Sequence, residues 1–310
     1  MRWARPVPWA GPMTAPRQVL PGASYLITRR CAQRQFLLKP SPVVTAVFKF
    51  VLAVAAARYG ILLHAVCVLS NHFHIVLTDP KSQLPRFEQF LDSLVARALN
   101  AFYGRWEYFW APGSYSAVRL ETPEDLLDKV VYTLANPVSA GLVPRGKQWP
   151  GVWSDPAQIG KGSEVVERPE LFFKPDGSTP DSERLTFVAP AGFESAEAFR
   201  KALQAALEER ERSVRAERKA KGLGFLGARK VLAQRHTDMP RSEAPRRGLN
   251  PRVAAKDKWR RIEALGRLVS FLEEYREALG KLRSGIRDVV FPAGTYQLRV
   301  SLGVACAGAG

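Results

Sequence analysis

Two runs of β-forming residues separated by a two-residue turn constrain the fold of this chain more than any other feature. Ile61–Leu69 is largely apolar, Ser70-Asn71 is typical of a tight turn, and a second apolar run begins at His72. We therefore predict a β-hairpin. Side chains two positions apart on a strand point to the same face, so His72 and His74 can bind one metal ion together.

Helix and strand signals on both sides of this hairpin complete a mixed pattern. Ser is a favoured N-cap and Pro a favoured first helical residue, and both signals occur ahead of apolar helical runs. The predicted elements are a strand over Ala23–Arg30, a helix from Pro42 to about Tyr59, the hairpin to Thr78, a helix from Pro85 to about Phe102, a short strand near Ala117–Leu120, and a helix that begins after Thr122. This order, β-α-β-β-α-β-α with antiparallel pairing, predicts an α+β fold in which helices cover one sheet.

The character of the sequence divides the chain into three parts. Residues 1–22 are rich in Pro and Arg and are predicted to be a flexible arm, and residues 23–155 carry the α+β pattern. Residues 156–310 are predicted to be a basic, mainly helical C-terminal extension. Within it we expect a polar linker over 161–182, a loop over 237–252, helices over 195–221 and 256–282, and a short strand over 297–300.

Charge and cysteine usage indicate the class of partner and the compartment. The net charge is +17 and the sequence pI is about 10.1, which favours a polyanionic partner, most often nucleic acid, although a generally basic proteome is the alternative. Three cysteines without a paired spacing favour a reducing compartment. The longest apolar run, 43–57, contains Lys49 and is interpreted as too short and too charged for a membrane span. No signal peptide is read, so we expect a cytoplasmic, nucleoid-associated protein without a membrane partner.

A tyrosine and an amide follow the hairpin by about sixty residues. Tyr132 and Asn136 lie four residues apart, on one face of a helix. A phenol of ordinary pKa, about 10, is a weak nucleophile, and a phosphodiester is a poor electrophile. A divalent cation polarises the phosphoryl oxygen, and two histidines with an oxygen ligand suit Mg²⁺ or Mn²⁺. Attack by Tyr132 would retain the bond energy in a covalent phosphotyrosine.

These residues resemble a known family. His72-Phe73-His74 resembles the histidine–hydrophobic–histidine (HUH) motif, and the phrase that runs from Tyr132 through Asn136-Pro137 to Val143 resembles the tyrosine signature of REP-associated tyrosine transposases. Those proteins are relatives of the single-tyrosine insertion-sequence transposases. The opening strand with Arg29-Arg30 and the aromatic region around Trp110 also lie where that family has them, so the resemblance covers roughly residues 20–155. One departure from the commonest family pattern is Ser139, the residue that follows Asn136-Pro137-Val138.

The resemblance implies a ferredoxin-like HUH nuclease core and cleavage and joining of single-stranded DNA near a hairpin through a 5′-phosphotyrosine. It implies that Tyr132 is the nucleophile and that His72 and His74 are metal ligands. Asn136 takes the place of a family ligand that is often Gln, although it could instead cap a helix before Pro137. The extension after about residue 160 has no counterpart in the short family members.

Basic and aromatic side chains supply candidates for DNA contact. Arg29, Arg30 and Arg34 follow the first strand and are candidates to bind phosphate, or are surface charge. Trp106 and Tyr108 are candidates to stack on unpaired bases, whereas Trp110 is expected to be in the core. His64 is expected to have a structural role. The oligomeric state is open between monomer and homodimer.

Three functions compete. The first is a metal-dependent tyrosine transposase or single-strand endonuclease. The second is a domesticated protein that binds structured nucleic acid without cutting it. The third is a metal phosphohydrolase that activates water at His72 and His74, which would need a nearby carboxylate, and Asp79 is the candidate that follows the pair in sequence.

Overall fold

The computed structural model describes residues 16–113, 115–174, 176–241 and 251–308. The elements of its main sheet and the helices between them are β1 Ala23–Arg30, α1 Pro42–Tyr59, β2 Leu62–Leu69, β3 His72–Asp79, α2 Leu84–Tyr103, β4 Ser116–Leu120 and β7 Val253–Ala254. The five strands lie in the order β2-β3-β1-β4-β7, and β7 alone among them pairs in parallel. The order β1-α1-β2-β3-α2-β4 along the chain is the ferredoxin-like arrangement. The predicted α+β class is confirmed.

The helix boundaries follow the capping signals in the sequence. The Ser41 side chain accepts a hydrogen bond from the Val44 N–H at 3.2 Å, and α1 ends at Gly60, which has a left-handed φ of 65°. Thr122 caps α3, Pro123–Leu134, in the same way by accepting from the Asp125 N–H at 3.1 Å. A short helix, α4, Asn136–Ser139, follows α3 after one residue.

Helices cover both faces of the main sheet. On one face α1 and α2 pack over Ile27, Phe73 and Ile75, and the ring of Phe48 lies 5.3 Å from that of Phe73. On the other face α3 buries Leu126, Val130 and Leu134 against the sheet. The long helix α5, Ala196–Ala220, adds Phe199, Leu203 and Leu207 to the same cluster. The extension therefore completes the core on the α3 face.

The predicted linker over 161–182 is wrong in part. Strands β5, Ser163–Glu167, and β6, Ser182–Thr186, form an antiparallel hairpin there. Only Val166 and Leu185 are buried, and most other residues of the two strands are polar. The alternation of apolar and polar residues that indicates a strand is therefore nearly absent. The hairpin packs on α1, where Lys49 Nζ forms an ion pair with Glu164 at 2.8 Å.

The end of α5 and the segment after it contact the loop that follows α4. The Gly146 N–H donates to Glu211 Oε1 at 2.7 Å, and Arg215 Nη1 donates to the Pro144 carbonyl at 3.1 Å. Val231 in α6, Ala228–Ala233, is fully buried in a cluster with residues of β2 and of this loop. The loop beyond the candidate tyrosine is thus fixed by the extension.

Two compact units divide the chain at positions that differ from the predicted boundaries at 22/23 and 155/156. One unit is Pro21–Ala264, and the other combines Leu265–Gly310 with the first twenty residues. The predicted arm lies partly outside the described residues. Gln18 within it forms a β-bridge with Thr295, so this described part belongs to the second unit.

The second unit contains most of α7, Lys258–Arg283, the strand pair β8, Val290–Phe291, and β9, Ala305–Cys306, and helix α8, Gln297–Leu302. Its core includes Phe271, Tyr275 and Phe291. The predicted strand over 297–300 is wrong, because α8 occupies it. Leu298 packs on the core, whereas Val300 and Leu302 are exposed. The alternating apolar residues of this segment therefore do not share one buried face, as they would in a strand. Gly303 ends α8 at φ 66°.

Helix α1 corrects one sequence argument. It has 18 residues and a mean hydropathy of 1.5, so by length and composition it is long and apolar enough to cross a membrane. Half of its residues are buried within the fold, and Val47, Phe48 and Val51 are fully enclosed. In this structure α1 is a core helix.

Candidate functional site

The histidine pair lies on a central strand and shares its face with residues of β1. In the β1–β3 register, His74 is opposite Thr28 and His72 is opposite Arg30. Directly opposed side chains of an antiparallel pair project to the same face. The two imidazoles are 4.9 Å apart between ring centroids and nearly perpendicular, at 88°.

His72 is held by the residue that precedes it. Its Nδ1 lies 2.7 Å from Asn71 Oδ1, and the Asn71 amide nitrogen donates to the Arg34 carbonyl at 3.3 Å. Because an amide oxygen accepts only, Nδ1 of neutral His72 carries the proton and Nε2 keeps its lone pair. Burial, and then the Arg30 guanidinium, lower the pKa of His72 to about 4.

His74 is buried more deeply and has one unpaired nitrogen. Its Nδ1 lies 2.8 Å from Thr28 Oγ1, whereas Nε2 is buried without a hydrogen-bond partner among the residues that the structure describes. Burial, and then nearby His72, hold the pKa of His74 well below its ordinary value. Both imidazoles are therefore neutral at pH 7, the state in which they bind metals.

The candidate nucleophile reaches the histidine pair from the helix that covers this face. The Tyr132 ring lies 5.3 Å from the His74 ring, at 78°, and its side chain is 46 % exposed. Lys129, one turn earlier, has its Nζ 5.9 Å from the centre of the Tyr132 ring. The end of α3 is fixed where Trp153 Nε1 donates to the Leu134 carbonyl at 3.0 Å. The phenol is thus beside the histidines and open to a large substrate.

Asn136 is not the helix cap that the sequence left as an alternative. Ala135 caps α3, and Asn136 is the first residue of α4, one helical turn past Tyr132. No hydrogen bond joins its side chain to either histidine within the described ranges. Its metal role stays a prediction.

The residues present fit a divalent metal, although two imidazoles alone do not complete a site. Across the described residues no group of three His, Cys, Asp or Glu side chains could hold a metal ion. The unpaired, buried Nε2 of His74 is the nitrogen that a metal would satisfy, because a buried polar atom without a partner is costly. His72 and His74 would hold the ion, with Asn136 as a neutral oxygen ligand and the remaining positions left for substrate oxygens.

The three candidate arginines differ in position. Arg29 points to the face of the sheet opposite the histidines. There its Nε pairs with Asp92 at 3.0 Å and its Nη1 donates to the Gly113 carbonyl at 2.7 Å. Arg30 is exposed on the histidine face. Arg34 has a left-handed φ of 61° and contributes its carbonyl to Asn71. Of the three, Arg30 is the one that lies beside the candidate site.

The two candidate stacking residues are strongly exposed. Trp106 is 95 % and Tyr108 84 % accessible, and Tyr108 lines an open groove of about 950 Å³ beside α2. Trp110 is buried as expected, and its Nε1 donates to the Asp92 carbonyl at 2.9 Å. The groove is reached from the α2 side of the sheet, since Arg29 and not Arg30 contributes to it.

Two other polar residues near the hairpin have structural roles. Both ring nitrogens of His64 are bonded, Nδ1 to the Val188 carbonyl and Nε2 to Thr78 Oγ1, each at 2.8 Å. The buried Asp79 carboxylate accepts backbone N–H bonds from Lys81, Gln83 and Leu84 at 2.7–3.2 Å. Asp79 is also at the far end of β3, about 17 Å along the strand from His74. It is not a carboxylate of this site.

Sequence reasoning did not assign roles to Thr28 and Asn71. The sequence pattern places Thr28 in the first strand and Asn71 in the turn, without a further role for either. The signal for Thr28 was its place two residues before Arg30, which puts both on one face. The signal for Asn71 was its position next to a predicted metal ligand, where ring nitrogens need acceptors.

Comparisons with known proteins give structural neighbours only. No protein-family model matches the chain, and no curated protein matches it. The chain is similar to a structure described as a REP-associated tyrosine transposase bound to a REP hairpin, with 17% identity, a TM-score of 0.40, and coverage of 55% of this chain and 96% of that chain. It is also similar to a crystal structure of a Deinococcus radiodurans protein described as a proposed transposase, with 20% identity, a TM-score of 0.29, and coverage of 40% of this chain and 97% of that chain.

Proposed function

We propose that this protein is a metal-dependent single-strand DNA endonuclease and transposase that cleaves and rejoins hairpin-bearing DNA. The observation that carries the proposal is the contact between Tyr132 and His74, whose buried Nε2 has no partner in the described part of the chain. A half-exposed phenol beside two neutral imidazoles provides a nucleophile and a metal site at one point.

Tyr132 is the attacking group. Its phenol oxygen forms a bond to the phosphorus of the scissile phosphodiester, and the bond from phosphorus to the 3′ oxygen of the preceding nucleotide breaks. The phenol proton is lost to solvent and the 3′ oxygen leaves as a hydroxyl, so no water is consumed. The product is a 5′-phosphotyrosine, which a second 3′ hydroxyl can attack to rejoin the strand.

The neighbouring residues orient this reaction. A bound Mg²⁺ or Mn²⁺ would polarise the phosphoryl oxygen and hold the phosphate in line. His72 and His74 would hold the ion, with Asn136 as the third ligand. Arg30 lies opposite His72 and favours binding of the phosphate backbone. Lys129 lies near the Tyr132 ring, where it forms an ion pair with Asp128 at 2.9 Å.

The DNA partner is inferred from charge and exposed rings. The net charge of +17 favours a polyanion, and Trp106 and Tyr108 present aromatic faces on which unpaired bases can stack. A hairpin next to the cut supplies both a stem for phosphate contact and single-stranded bases. These features would serve equally in a protein that binds without cutting, which is the second candidate.

The phosphohydrolase alternative has less support. It needs a carboxylate at the histidine pair to activate water, and Asp79 is engaged in backbone hydrogen bonds at the other end of β3. Water attack would also leave Tyr132 without a role.

The decisive experiment compares the wild type with Tyr132→Phe on a 5′-labelled and 3′-labelled hairpin oligonucleotide with Mn²⁺. The wild type is expected to form a protein–DNA adduct that survives denaturing gel electrophoresis, with the DNA 3′ of the cut attached to the peptide that contains Tyr132. The phenylalanine variant should bind the hairpin with unchanged affinity and give no adduct. Tyr59→Phe is the matched control, because Tyr59 packs on Phe90 at the end of α1, outside the site.

Each result separates the candidates. Adduct formation by Tyr132→Phe would remove Tyr132 from its role. Hairpin binding by the wild type without cleavage in Mn²⁺ or Mg²⁺ would favour the binding protein. Cleavage that leaves a free 5′ phosphate and no adduct at any time would favour the hydrolase.

A further inference from the structure

We infer that Asn71 and Thr28 are positioning residues that turn the two histidines into metal ligands, and that the backbone of Gln33-Arg34 holds Asn71 in place. The inference rests on the proposed metal site and extends it to residues that touch neither the metal nor DNA. The Asn71 side-chain oxygen lies 2.7 Å from His72 Nδ1, and the Thr28 hydroxyl lies 2.8 Å from His74 Nδ1. Each ring is therefore held through its Nδ1.

The shared use of Nδ1 decides which nitrogen is free. When Nδ1–H donates to an oxygen, Nε2 has the lone pair that a metal needs, and the ring cannot rotate without losing that bond. Asn71 enforces this tautomer on His72 because its Oδ1 can only accept. The Thr28 hydroxyl accepts from His74 in the same tautomer, and His74 Nε2 is then the buried, unpaired atom. Without these acceptors, the proton can move to Nε2 and block it.

Asn71 is itself fixed by its other end. Its amide nitrogen donates to the Arg34 carbonyl at 3.3 Å, which orients the oxygen toward His72, and its own carbonyl accepts from the Cys31 N–H at 2.8 Å. The loop that presents the Arg34 carbonyl contains two consecutive non-glycine residues in the left-handed region, Gln33 at φ 50° and Arg34 at φ 61°. A left-handed φ is unfavourable for residues with a side chain, and it persists where the surrounding structure requires it.

The same sheet contains a matched interaction away from the site. The Thr78 hydroxyl contacts His64 Nε2 at 2.8 Å, the distance between the Thr28 hydroxyl and His74 Nδ1. Thr78→Val and Thr28→Val therefore each remove a threonine–imidazole hydrogen bond from the same sheet, and Thr78→Val also removes the bond to Ser24. For Asn71 the matched residue is Asn100, whose amide nitrogen donates to the Glu107 carbonyl at 2.9 Å and anchors a different loop.

The test measures Mn²⁺ binding to the full-length, metal-free protein by isothermal titration calorimetry and by electron paramagnetic resonance. Asn71→Ala and Thr28→Val should each weaken Mn²⁺ binding by about 10–100-fold, the usual effect of removing an outer-shell partner of a metal ligand. Thr78→Val and Asn100→Ala should leave the affinity within about twofold of the wild type, although Thr78→Val lowers stability. Asn71→Asp should restore binding, because a carboxylate oxygen still accepts from His72 Nδ1–H.

The outcomes distinguish this inference from the proposed function. Unchanged Mn²⁺ affinity in both Asn71→Ala and Thr28→Val overturns the inference, as does an equal loss in the two control variants. If Asn71→Ala does not fold, Thr28→Val decides, because valine is β-branched like threonine and fits this half-buried strand position. Mn²⁺ binding that is absent, or that persists in His74→Ala, overturns both proposals. The expected affinities combined with no DNA adduct would overturn the proposed function alone.

Discussion

Two buried histidines on neighbouring strands, His64 and His74, show how a fold separates a structural imidazole from a reactive one. Each contacts a threonine hydroxyl at 2.8 Å, and burial lowers the pKa of both. His64 has a second bond, to the Val188 carbonyl, whereas the second nitrogen of His74 has no hydrogen-bond partner in the described residues and lies under Tyr132. Completeness of hydrogen bonding distinguishes the two, not depth of burial.

The hydrogen bonds of His64 form a chain with one consistent direction. The Val188 carbonyl can only accept, so His64 Nδ1 carries the proton and Nε2 accepts from the Thr78 hydroxyl. Thr78 in turn accepts from Ser24, whose hydroxyl is 2.7 Å away. All polar atoms of this chain are satisfied, which stabilises the bulged segment of β2 where the pairing shifts between Leu63 and Ala65.

The largest expected effect comes from removing each of the two imidazoles in turn. His74→Ala should lower the rate of adduct formation by about 10³-fold or more, because it removes a ligand of an ion that contributes several kcal/mol to the transition state. His64→Ala, assayed per folded protein, should retain the wild-type rate. The measurement is a single-turnover adduct assay in Mn²⁺, and equal losses in the two variants would contradict the distinction.

Stability should show the reverse order. His64→Leu leaves the Val188 carbonyl and the Thr78 hydroxyl without their partner, so we expect a loss of about 2–4 kcal/mol in the free energy of unfolding. His74→Leu removes an imidazole that is already incompletely bonded, and its cost should be within about 1 kcal/mol, as is common where function works against stability. Urea unfolding of the metal-free proteins measures both, and a larger loss for His74→Leu would break the comparison.

The pH dependence of stability isolates His64 further. Burial lowers its pKa to about 4 in the folded protein, below the ordinary value of 6.5. The unfolded chain therefore takes up this proton first as the pH falls, so stability is lost from about pH 6.5 down to about pH 4. At pH 5 the loss from this one group is about 2 kcal/mol.

His64→Gln provides the control for that pH effect. The variant cannot take up the proton, while His72 and His74 titrate equally in both proteins, so the difference between wild type and variant should shrink by about 2 kcal/mol between pH 7 and pH 5. Urea unfolding at the two pH values measures this. A difference independent of pH would mean that the pKa of His64 is the same in the folded protein as in the unfolded chain.

Much of the core could be predicted from sequence, because its signals are local. The Ser41-Pro42 cap, the Gly60 stop and the Ser70-Asn71 turn fix the ends of α1, β2 and β3, and each boundary lies within one residue of its prediction. The polar hairpin β5–β6 was missed because its burial comes from packing on α1, a contact distant in sequence. Helix α8 was missed because three alternating apolar residues suggest a strand regardless of which ones meet the core.

For the candidate site, the sequence indicates residue types and their faces but not their contacts. The spacing of His72 and His74 predicts that they share one face of a strand. The sequence also predicts that Tyr132 lies on a helix, but not which residues that helix packs against. Contacts between residues that are distant in sequence could not be predicted. The Thr28–His74 contact follows from the β1–β3 register, and the Arg29–Asp92 pair follows from the position of α2 on the opposite face. No single segment of the sequence encodes either contact.

The smallest expected effect tests the outer end of the His64 chain. Ser24→Ala removes the hydroxyl that donates to Thr78, but Thr78 still donates to His64, so the imidazole keeps both bonds. We expect a loss of about 1 kcal/mol or less, a shift of about 2–4 °C in Tm, with no change in Mn²⁺ affinity or adduct formation. Differential scanning calorimetry of the metal-free protein measures it, with Ser301→Ala as a control because the Ser301 hydroxyl donates to the Gln297 carbonyl within α8. A loss as large as that of His64→Leu would contradict this order of effects, because the Ser24 hydroxyl would then contribute as much to stability as the imidazole.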